Sequence, residues 1–541
     1  MLALPMTAQA SVAPDSAFHA YARARLADGD GASPLAVENY RLALDEDPGS
    51  PAIARRSYLQ ALESGDLPLA LRSARLLDAE GLLPRDGTLL HIGDALNRKD
   101  WAAARTWTDR MAEEGNFAFL APLVRSWIRL GEGNYDPPIL VAKDRADILA
   151  RRYMDEQIAL QALARKDVQA ALPAIRAALA TRTSDQDALR LTFAAQLASQ
   201  RAATQALELL PDDRANFALA RSDIEQGRSR KLRREGAPLT PAQGFGRLLT
   251  RLAVDAAAMD GGEVLSIRLA RIATFADPGA ESRIVMARLL TENENPALGL
   301  AEARKIPVDS YYGALAEAEL IDALDGAGQD EGAIALARSQ AAAPNAEAER
   351  FVRLGSLLAG AKDFSGAAQA FRAAQARYPA DAMPWTLLLF EGSALEQGKQ
   401  WDEARAVLER AAKIEPNEPM ILNYLGYAQI ERRQNVDEAL ALLKKASTLK
   451  PDDPSITDSL GWAQFIAGNV EAAVPVLEKA AASAPGDATI NEHLGDALWA
   501  AGRRYEARYA WKAAATFADG VVAERLKAKA KEGMKPEYAA P

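Results

Sequence analysis

Small and large apolar residues recur along the C-terminal third of the chain with a period of about 34 residues. Between residues 346 and 520, each repeat has a Gly, then an Ala about twelve residues later, then a large side chain four residues after that Ala. The glycines are Gly355, Gly392, Gly426, Gly461 and Gly495. The large side chains are Phe371, Leu408, Leu443, Leu477 and Trp511. The period predicts pairs of helices that bury their apolar stripes by stacking on neighbouring pairs.

Each position of the pattern has a physical role. The Gly of the first helix and the Ala of the second helix allow the two helices to cross closely, and the large side chain fills the space between them. A second Ala, three residues after the large side chain, leaves room for the next pair. A Pro then ends the second helix in four of the five units, since it lacks an N–H and its ring clashes with the preceding turn. These prolines are Pro379, Pro416, Pro451 and Pro485. One unit has an extra residue in its turn, near Asn435.

The order Leu-Gly, Ala, large residue, Ala, Pro, kept in register over five units, resembles the tetratricopeptide repeat family. The resemblance implies an all-α fold, an α-solenoid in which antiparallel helix pairs form a superhelix. It also implies a concave groove, lined by the first helix of each unit, in which partner proteins bind.

Weaker copies of the spacing precede the regular array. Residues 91–96 echo residues 493–498, and the same intervals recur near the N-terminus in Ala24, Ala36, Tyr40, Ala43 and Pro48. We therefore expect degenerate helical repeats in residues 11–225 and 247–345, and a regular tetratricopeptide array in residues 346–520.

Two segments are predicted to lie outside the repeats. Residues 226–246 contain five basic residues followed by Pro and Gly, which mark loops. We expect a basic loop there, either solvated or in contact with an acidic partner. Residues 521–541 contain four lysines outside the repeat pattern, and we expect a frayed C-terminal tail.

Residues 1–10 end in Ala8-Gln9-Ala10, an Ala-x-Ala pattern typical of a signal-peptide cleavage site. A basic region before the apolar part is missing from the sequence. The segment is either the remnant of a secretory signal, which would direct the protein to the periplasm, or an ordinary disordered N-terminus of a cytoplasmic protein.

Composition agrees with an all-α protein. Hydrophobic residues make up 49% of the chain and aromatic residues 6%. The net charge of −10 argues against bulk nucleic-acid binding, which needs a basic face. No run of about 18 apolar residues is present, so we expect no transmembrane segment. The oligomeric state stays open.

We expect no catalytic, cofactor or metal site. The three histidines, His19, His91 and His493, lack partners at the spacing of a metal site such as His-Glu-x-x-His. The chain has no cysteine, and it lacks both a Gly-rich phosphate loop and the strand–helix alternation of catalytic α/β domains. We therefore expect the protein to bind no cofactor.

The candidate binding groove is acidic and aromatic. Counting from the Leu-Gly pairs, we expect the inward-facing residues to include Asn423, Tyr427, Asp458, Trp462, Glu492, His493 and Asp496. Such a groove suits a segment that carries Lys or Arg. As an alternative, Tyr427 and Trp462 pack between units and bind nothing.

Residues 453–462 and 492–499 resemble the C-terminal end of bacterial envelope tetratricopeptide lipoproteins. The resemblance implies an adaptor that brings substrates to a periplasmic processing protease. Those proteins carry a lipidated Cys, and this sequence has none. Our hypothesis is a non-enzymatic scaffold or adaptor in the cell envelope. The alternatives are a cytosolic tetratricopeptide regulator and a non-catalytic subunit of an enzyme complex.

Overall fold

A computed structural model of the protein describes residues 15–138, 145–180, 186–379 and 382–538. Every regular element in these ranges is helical, and the helices pack as consecutive antiparallel pairs. This confirms the all-α, solenoid class. The chain divides into two compact units, residues 1–346 and residues 347–541.

The first unit contains nineteen α-helices within the described ranges. They are α1 (Asp15–Gly29), α2 (Ser33–Glu46), α3 (Pro51–Ser64), α4 (Leu67–Ala79), α5 (Gly87–Asn97), α6 (Trp101–Glu113), α7 (Ala121–Gly131), α8 (Arg145–Ala164), α9 (Val168–Ala180), α10 (Gln186–Ser199), α11 (Ala203–Glu208), α12 (Ala218–Glu225), α13 (Ser229–Glu235), α14 (Pro241–Ala257), α15 (Glu263–Ala276), α16 (Ala280–Glu292), α17 (Pro296–Ala303), α18 (Gly313–Gly326) and α19 (Asp330–Ala341). Short 3-10 turns lie at Ala118–Leu120 and Ala215–Phe217.

The second unit contains eleven α-helices in the part of it that the structure describes. They are α20 (Ala348–Gly360), α21 (Phe364–Gln375), α22 (Trp385–Gln397), α23 (Trp401–Ile414), α24 (Pro419–Glu431), α25 (Val436–Leu449), α26 (Pro454–Ile466), α27 (Val470–Ser483), α28 (Ala488–Ala500), α29 (Arg504–Phe517) and α30 (Gly520–Glu532). A 3-10 turn follows at Pro536–Tyr538.

Helix α14 is central to the first unit, because it packs on α5, α7, α8, α15 and α16. A Cβ atom at Gly244 would lie 2.2 Å from the indole ring of Trp127, so only glycine allows α14 to approach α7 this closely. Trp127 is fully buried, and its Nε1 donates to Oε1 of Gln157 at 2.8 Å. The interior of this unit therefore contains specific polar contacts as well as apolar packing.

The prediction of a loop over residues 226–246 is wrong for most of that segment, which contains α13 and the start of α14. Leu232 of α13 is buried, and Nζ of Lys231 lies 3.1 Å from Oδ2 of the buried Asp223. Thr240 then starts α14 through a capping box. Burial of one leucine and pairing of a basic residue thus stabilise a helix that the composition did not indicate.

The repeat contacts predicted for the second unit are confirmed. A Cβ atom at any of the five repeat glycines would lie between 2.4 and 2.8 Å from the large side chain of the same repeat. The alanine twelve or thirteen residues after each glycine has no exposed surface; these residues are Ala367, Ala404, Ala439, Ala473 and Ala507. Glycine and alanine therefore set the distance between the two helices of each pair.

The extra residue predicted in one turn also has a structural counterpart. Asn435 immediately precedes α25 with φ at 48°, in the left-handed region that asparagine tolerates better than most residues. In the turns before α27 and α29, Gly468 and Gly502 occupy the position of Arg433, which is also left-handed with φ at 51°. Asn435 is thus a second left-handed residue in the longer turn.

The prediction of a frayed tail at residues 521–541 is wrong up to Glu532, because α30 packs against α29. Leu526 and Lys529 of α30 are both fully buried. Among the residues that the structure describes, no helix is both long enough and apolar enough to cross a membrane.

Candidate partner-binding site

The first helices of three successive repeats, α24, α26 and α28, lie side by side in the second unit. Side-chain caps fix where two of these helices begin. Oδ1 of Asp453 accepts from the backbone N–H groups of Ser455 and Ile456, and Oδ1 of Asp487 accepts from that of Ile490 at 2.9 Å. A pocket of about 350 Å³ lies between the three helices.

Carboxylates and phenol rings dominate the lining of this pocket, and no Lys or Arg is among its lining residues. The carboxylates belong to Glu396, Glu431, Asp458 and Asp487. The rings belong to Tyr424 and Tyr427. Glu396 is ion-paired with Arg432, and the exposed Asp487 caps α28. Glu431 is also exposed, and it forms no ion pair among the described residues. The pocket therefore offers a negative potential to a ligand.

Three of the seven residues predicted for a groove line the pocket, namely Asn423, Tyr427 and Asp458. Oδ1 of Asn423 is buried and has no hydrogen-bond partner among the described residues. Burial, together with the charge of Glu431 and a hydrogen bond to it, raises the pKa of Tyr427 well above its usual value. Tyr427 therefore stays protonated and can donate a hydrogen bond.

His493 and Trp462 are packed inside the repeat array and do not line the pocket. Their rings stack with centroids 4.0 Å apart and an interplanar angle of 11°. Nδ1 of His493 lies 2.9 Å from Oδ2 of Asp458, so the histidine fixes the orientation of a carboxylate at the pocket. With 2% of its surface exposed, Trp462 follows the alternative interpretation that it packs between units.

The expectation that Glu492 and Asp496 face an open groove is wrong, because α30 covers both. Nζ of Lys529 lies 2.6 Å from Oε1 of Glu492 and 2.9 Å from both carboxylate oxygens of Asp496. Nη2 of Arg525 contacts the other oxygen of Glu492 at 2.7 Å. Burial raises the pKa of Asp496, and the ammonium group of Lys529 opposes this shift.

Sequence reasoning missed Glu431, which is an exposed acid of the pocket. Glu431 lies four residues after Tyr427 on α24, a spacing that places both side chains on the same side of a helix. The helical period thus contained the signal. By contrast, the approach of Glu396 from α22 and of Asp487 from the start of α28 depends on how the repeats stack.

In the described part of the chain, no group of three or more His, Cys, Asp or Glu residues has an arrangement that could hold a metal ion. The side chains that line the pocket can form hydrogen bonds, pair with charges and contact a ligand through aromatic rings.

Comparison with known proteins supports the repeat assignment. Residues 391–454 and 459–529 match the family model described as tetratricopeptide repeat. These two stretches of the second unit are thus similar to tetratricopeptide repeats. No curated protein matches the sequence significantly.

Several solved structures are similar to part of the chain. MamA from AMB-1 is 23% identical over 31% of this chain and 96% of its own, with a TM-score of 0.27. MamA from Desulfovibrio magneticus RS-1 is 17% identical over 31% of this chain and 94% of its own, with a TM-score of 0.28. YrrB, described as a TPR protein with an unusual peptide-binding site, is 19% identical over 34% of this chain and 92% of its own, with a TM-score of 0.27. No functional property follows from likenesses this low.

Proposed function

We propose that this tetratricopeptide-repeat protein is a non-enzymatic scaffold that binds a segment of a partner protein in the pocket between α24, α26 and α28. A Lys or Arg side chain of the partner enters the pocket. The observation that carries the proposal is a set of four carboxylates with no cationic side chain among the lining residues. A cationic group is the natural complement of such a set, because charge-assisted hydrogen bonds are stronger than neutral ones.

An internal example in the last repeat supports the proposal. Counted from the Leu-Gly pair, Asp458 of α26 occupies the position that Glu492 occupies in α28. Glu492 is already in contact with the basic side chains of Lys529 and Arg525, which α30 supplies. The first helices of these repeats therefore have carboxylates at a depth and spacing that suit a lysine from another element.

The tyrosines of the pocket add affinity for the same class of ligand. The faces of tyrosine rings attract ammonium and guanidinium groups, with an energy of about 0.5–2 kcal/mol. Tyr427 is half-buried beside Asp458 and Glu431, so its ring and its hydroxyl are both placed to contact a bound cation. Oδ1 of Asn423 supplies one more acceptor.

The proposal is tested with labelled dodecapeptides that have Lys at alternate positions, and with the same peptides carrying Gln instead. Fluorescence anisotropy should show binding of the Lys peptide only. Glu431→Gln removes an exposed carboxylate and should lower the affinity roughly tenfold, since hydrogen bonds to charged groups contribute about 1.5–3 kcal/mol. Asp458 is unsuitable for such a substitution, because it is buried against His493 and its replacement would disturb folding.

Glu438→Gln provides the matched control, because Glu438 is exposed on the outer helix α25 of the same repeat and lies away from the pocket. Its affinity for the Lys peptide should equal that of the unmodified protein. Equal affinities for the Gln and Lys peptides, or equal losses in both variants, would reject the pocket as the binding site.

We further propose that the scaffold acts as an adaptor in the cell envelope, with the cytoplasm as the alternative. Support comes from Ala8-Gln9-Ala10, which lies outside the described residues, and from the sequence resemblance to envelope lipoproteins. When the protein is expressed from its own gene, the mature form should begin near Ser11 and be found in the periplasmic fraction. A protein that retains Met1 in a cytosolic extract would favour the cytosolic regulator.

A further inference from the structure

Helix α29 presents basic and aromatic side chains on one face. Arg504, Arg508 and Lys512 follow one another at intervals of four residues, and Tyr505 and Tyr509 lie next to them. Residues four apart on an α-helix are neighbours on its surface, so these five side chains form one continuous strip. We call this strip the α29 surface.

The basic groups of the α29 surface have no carboxylate partner among the described residues. Arg504 lies over the ring of Trp499 at 5.0 Å, and Nε of Arg508 donates to the backbone oxygen of Ala530 at 3.1 Å. Lys512 contacts the ring of Tyr509 at 5.6 Å. The adjacent Arg503, in contrast, is ion-paired with acids of both α27 and α29. The charge on the strip is therefore available to an outside partner.

Large aromatic area is exposed at the same place. Tyr505 is 71% exposed and Tyr509 is 57% exposed, and their hydroxyl groups lie 3.1 Å apart. Tyr and Arg are the residue types enriched at the centres of protein interfaces, since they combine contact area with directed polar groups. This combination is typical of a docking surface rather than of a merely solvated helix face.

The sign of the charge identifies the partner. The three basic residues of the α29 surface form no ion pair among the described residues, whereas the whole chain has a net charge of −10. An acidic ligand is thus repelled by the protein as a whole and attracted to this region. The exposed tyrosine hydroxyls can donate further hydrogen bonds to carboxylates.

We propose that the α29 surface is a second docking site, which binds an Asp- and Glu-rich segment of a partner protein. Its charge is opposite to that of the pocket between α24, α26 and α28, so the two sites select different segments. The scaffold can then hold two partners, or two parts of one partner, at the same time. This inference stands independently of the ligand of the pocket, because it rests on different residues.

The test measures, by fluorescence anisotropy, the affinity of the full chain for labelled dodecapeptides that are rich in Asp and Glu. The acidic peptide should bind at about 0.05 M salt and weaken as salt rises, because exposed charges are screened. Arg504→Glu combined with Lys512→Glu should reduce the affinity at least about tenfold. Both residues are on the surface, so the circular dichroism spectrum should not change.

The matched control is Lys413→Glu combined with Lys444→Glu, which makes a charge reversal of comparable size at exposed positions of the outer helices α23 and α25. This variant should lose less than about twofold. Glu431→Gln should leave acidic-peptide binding intact, which separates failure of this proposal from failure of the pocket proposal. Absent binding, or equal losses in both reversal variants, would overturn the docking site. Tighter binding of an oligothymidylate or an anionic vesicle than of the peptide would overturn the assignment to an acidic protein segment.

Discussion

Replacing Lys529 by methionine gives the sharpest test of how the C-terminal end of the repeats is stabilised. The side chain of Lys529 has no exposed surface, and its ammonium group contacts Glu492 and Asp496 at 2.6–2.9 Å. Methionine keeps much of the volume but removes the charge. Of the two buried carboxylates, Glu492 then keeps Arg525 as a cationic partner, and Asp496 has none among the described residues.

The expected cost follows from the burial of the ions. Breaking a buried ion pair by removing one partner destabilises a protein by about 3–5 kcal/mol, because the other charge stays buried without compensation. Asp496 should account for most of this cost, because Nε1 of Trp511 is the one hydrogen-bond donor that it keeps among the described residues. Adding Asp496→Asn to Lys529→Met should therefore restore most of the lost stability.

The pH dependence has a definite sign. Burial already raises the pKa of Asp496, and removal of the ammonium group raises it further. A carboxyl group whose pKa is higher in the folded state than in the unfolded state contributes stability at low pH, and this contribution is lost as pH rises through the folded pKa. The difference between Lys529→Met and the unmodified protein should thus shrink as pH falls from neutral toward the usual pKa of an Asp carboxyl group, about 4.

Two measurements decide the outcome. Urea unfolding followed by tryptophan fluorescence gives the free energy of unfolding, and hydrogen exchange shows whether α28, α29 and α30 lose protection first, as nearest-neighbour coupling between repeats requires. A cost below about 1 kcal/mol, or failure of Asp496→Asn to rescue the variant, would show that the buried charges do not hold α30 in place.

Two further predictions concern packing and charge elsewhere. Gly461→Ala places a Cβ atom 2.6 Å from the side chain of Leu477 and should lower the free energy of unfolding by about 1–3 kcal/mol in a urea titration. Gly360→Ala, where the Cβ atom meets open space, should cost nothing, and equal effects of the two variants would contradict the close-crossing argument. Arg247→Met in the first unit removes the cation whose Nε lies 2.7 Å from Oδ2 of Asp277, and thermal unfolding should report a loss of about 3–5 kcal/mol, while an unchanged midpoint would mean that the buried carboxylate is compensated otherwise.

The class of fold and the contacts within each repeat follow from the residue pattern of the chain. Gly495 and Trp511 could be paired by counting residues, because a helix pair has a fixed length and its crossing point needs one small and one large side chain. The residue pattern also indicated that acids and aromatic residues collect on the first helices, since the helical period places Asn423 and Tyr427 on one face.

Which of those residues a partner can reach depends on tertiary packing. Composition assigned residues 521–541 to a tail, yet α30 forms there because Leu526 and Lys529 find an apolar and an acidic complement on the last repeat. Lysine and glutamate are mostly exposed residues in proteins, so local pattern gives no warning when they are buried as a pair. The exposure of a residue depends on what packs over it, and the packing element can be distant in sequence. A carboxylate on α28 is buried here because a helix more than thirty residues away covers it.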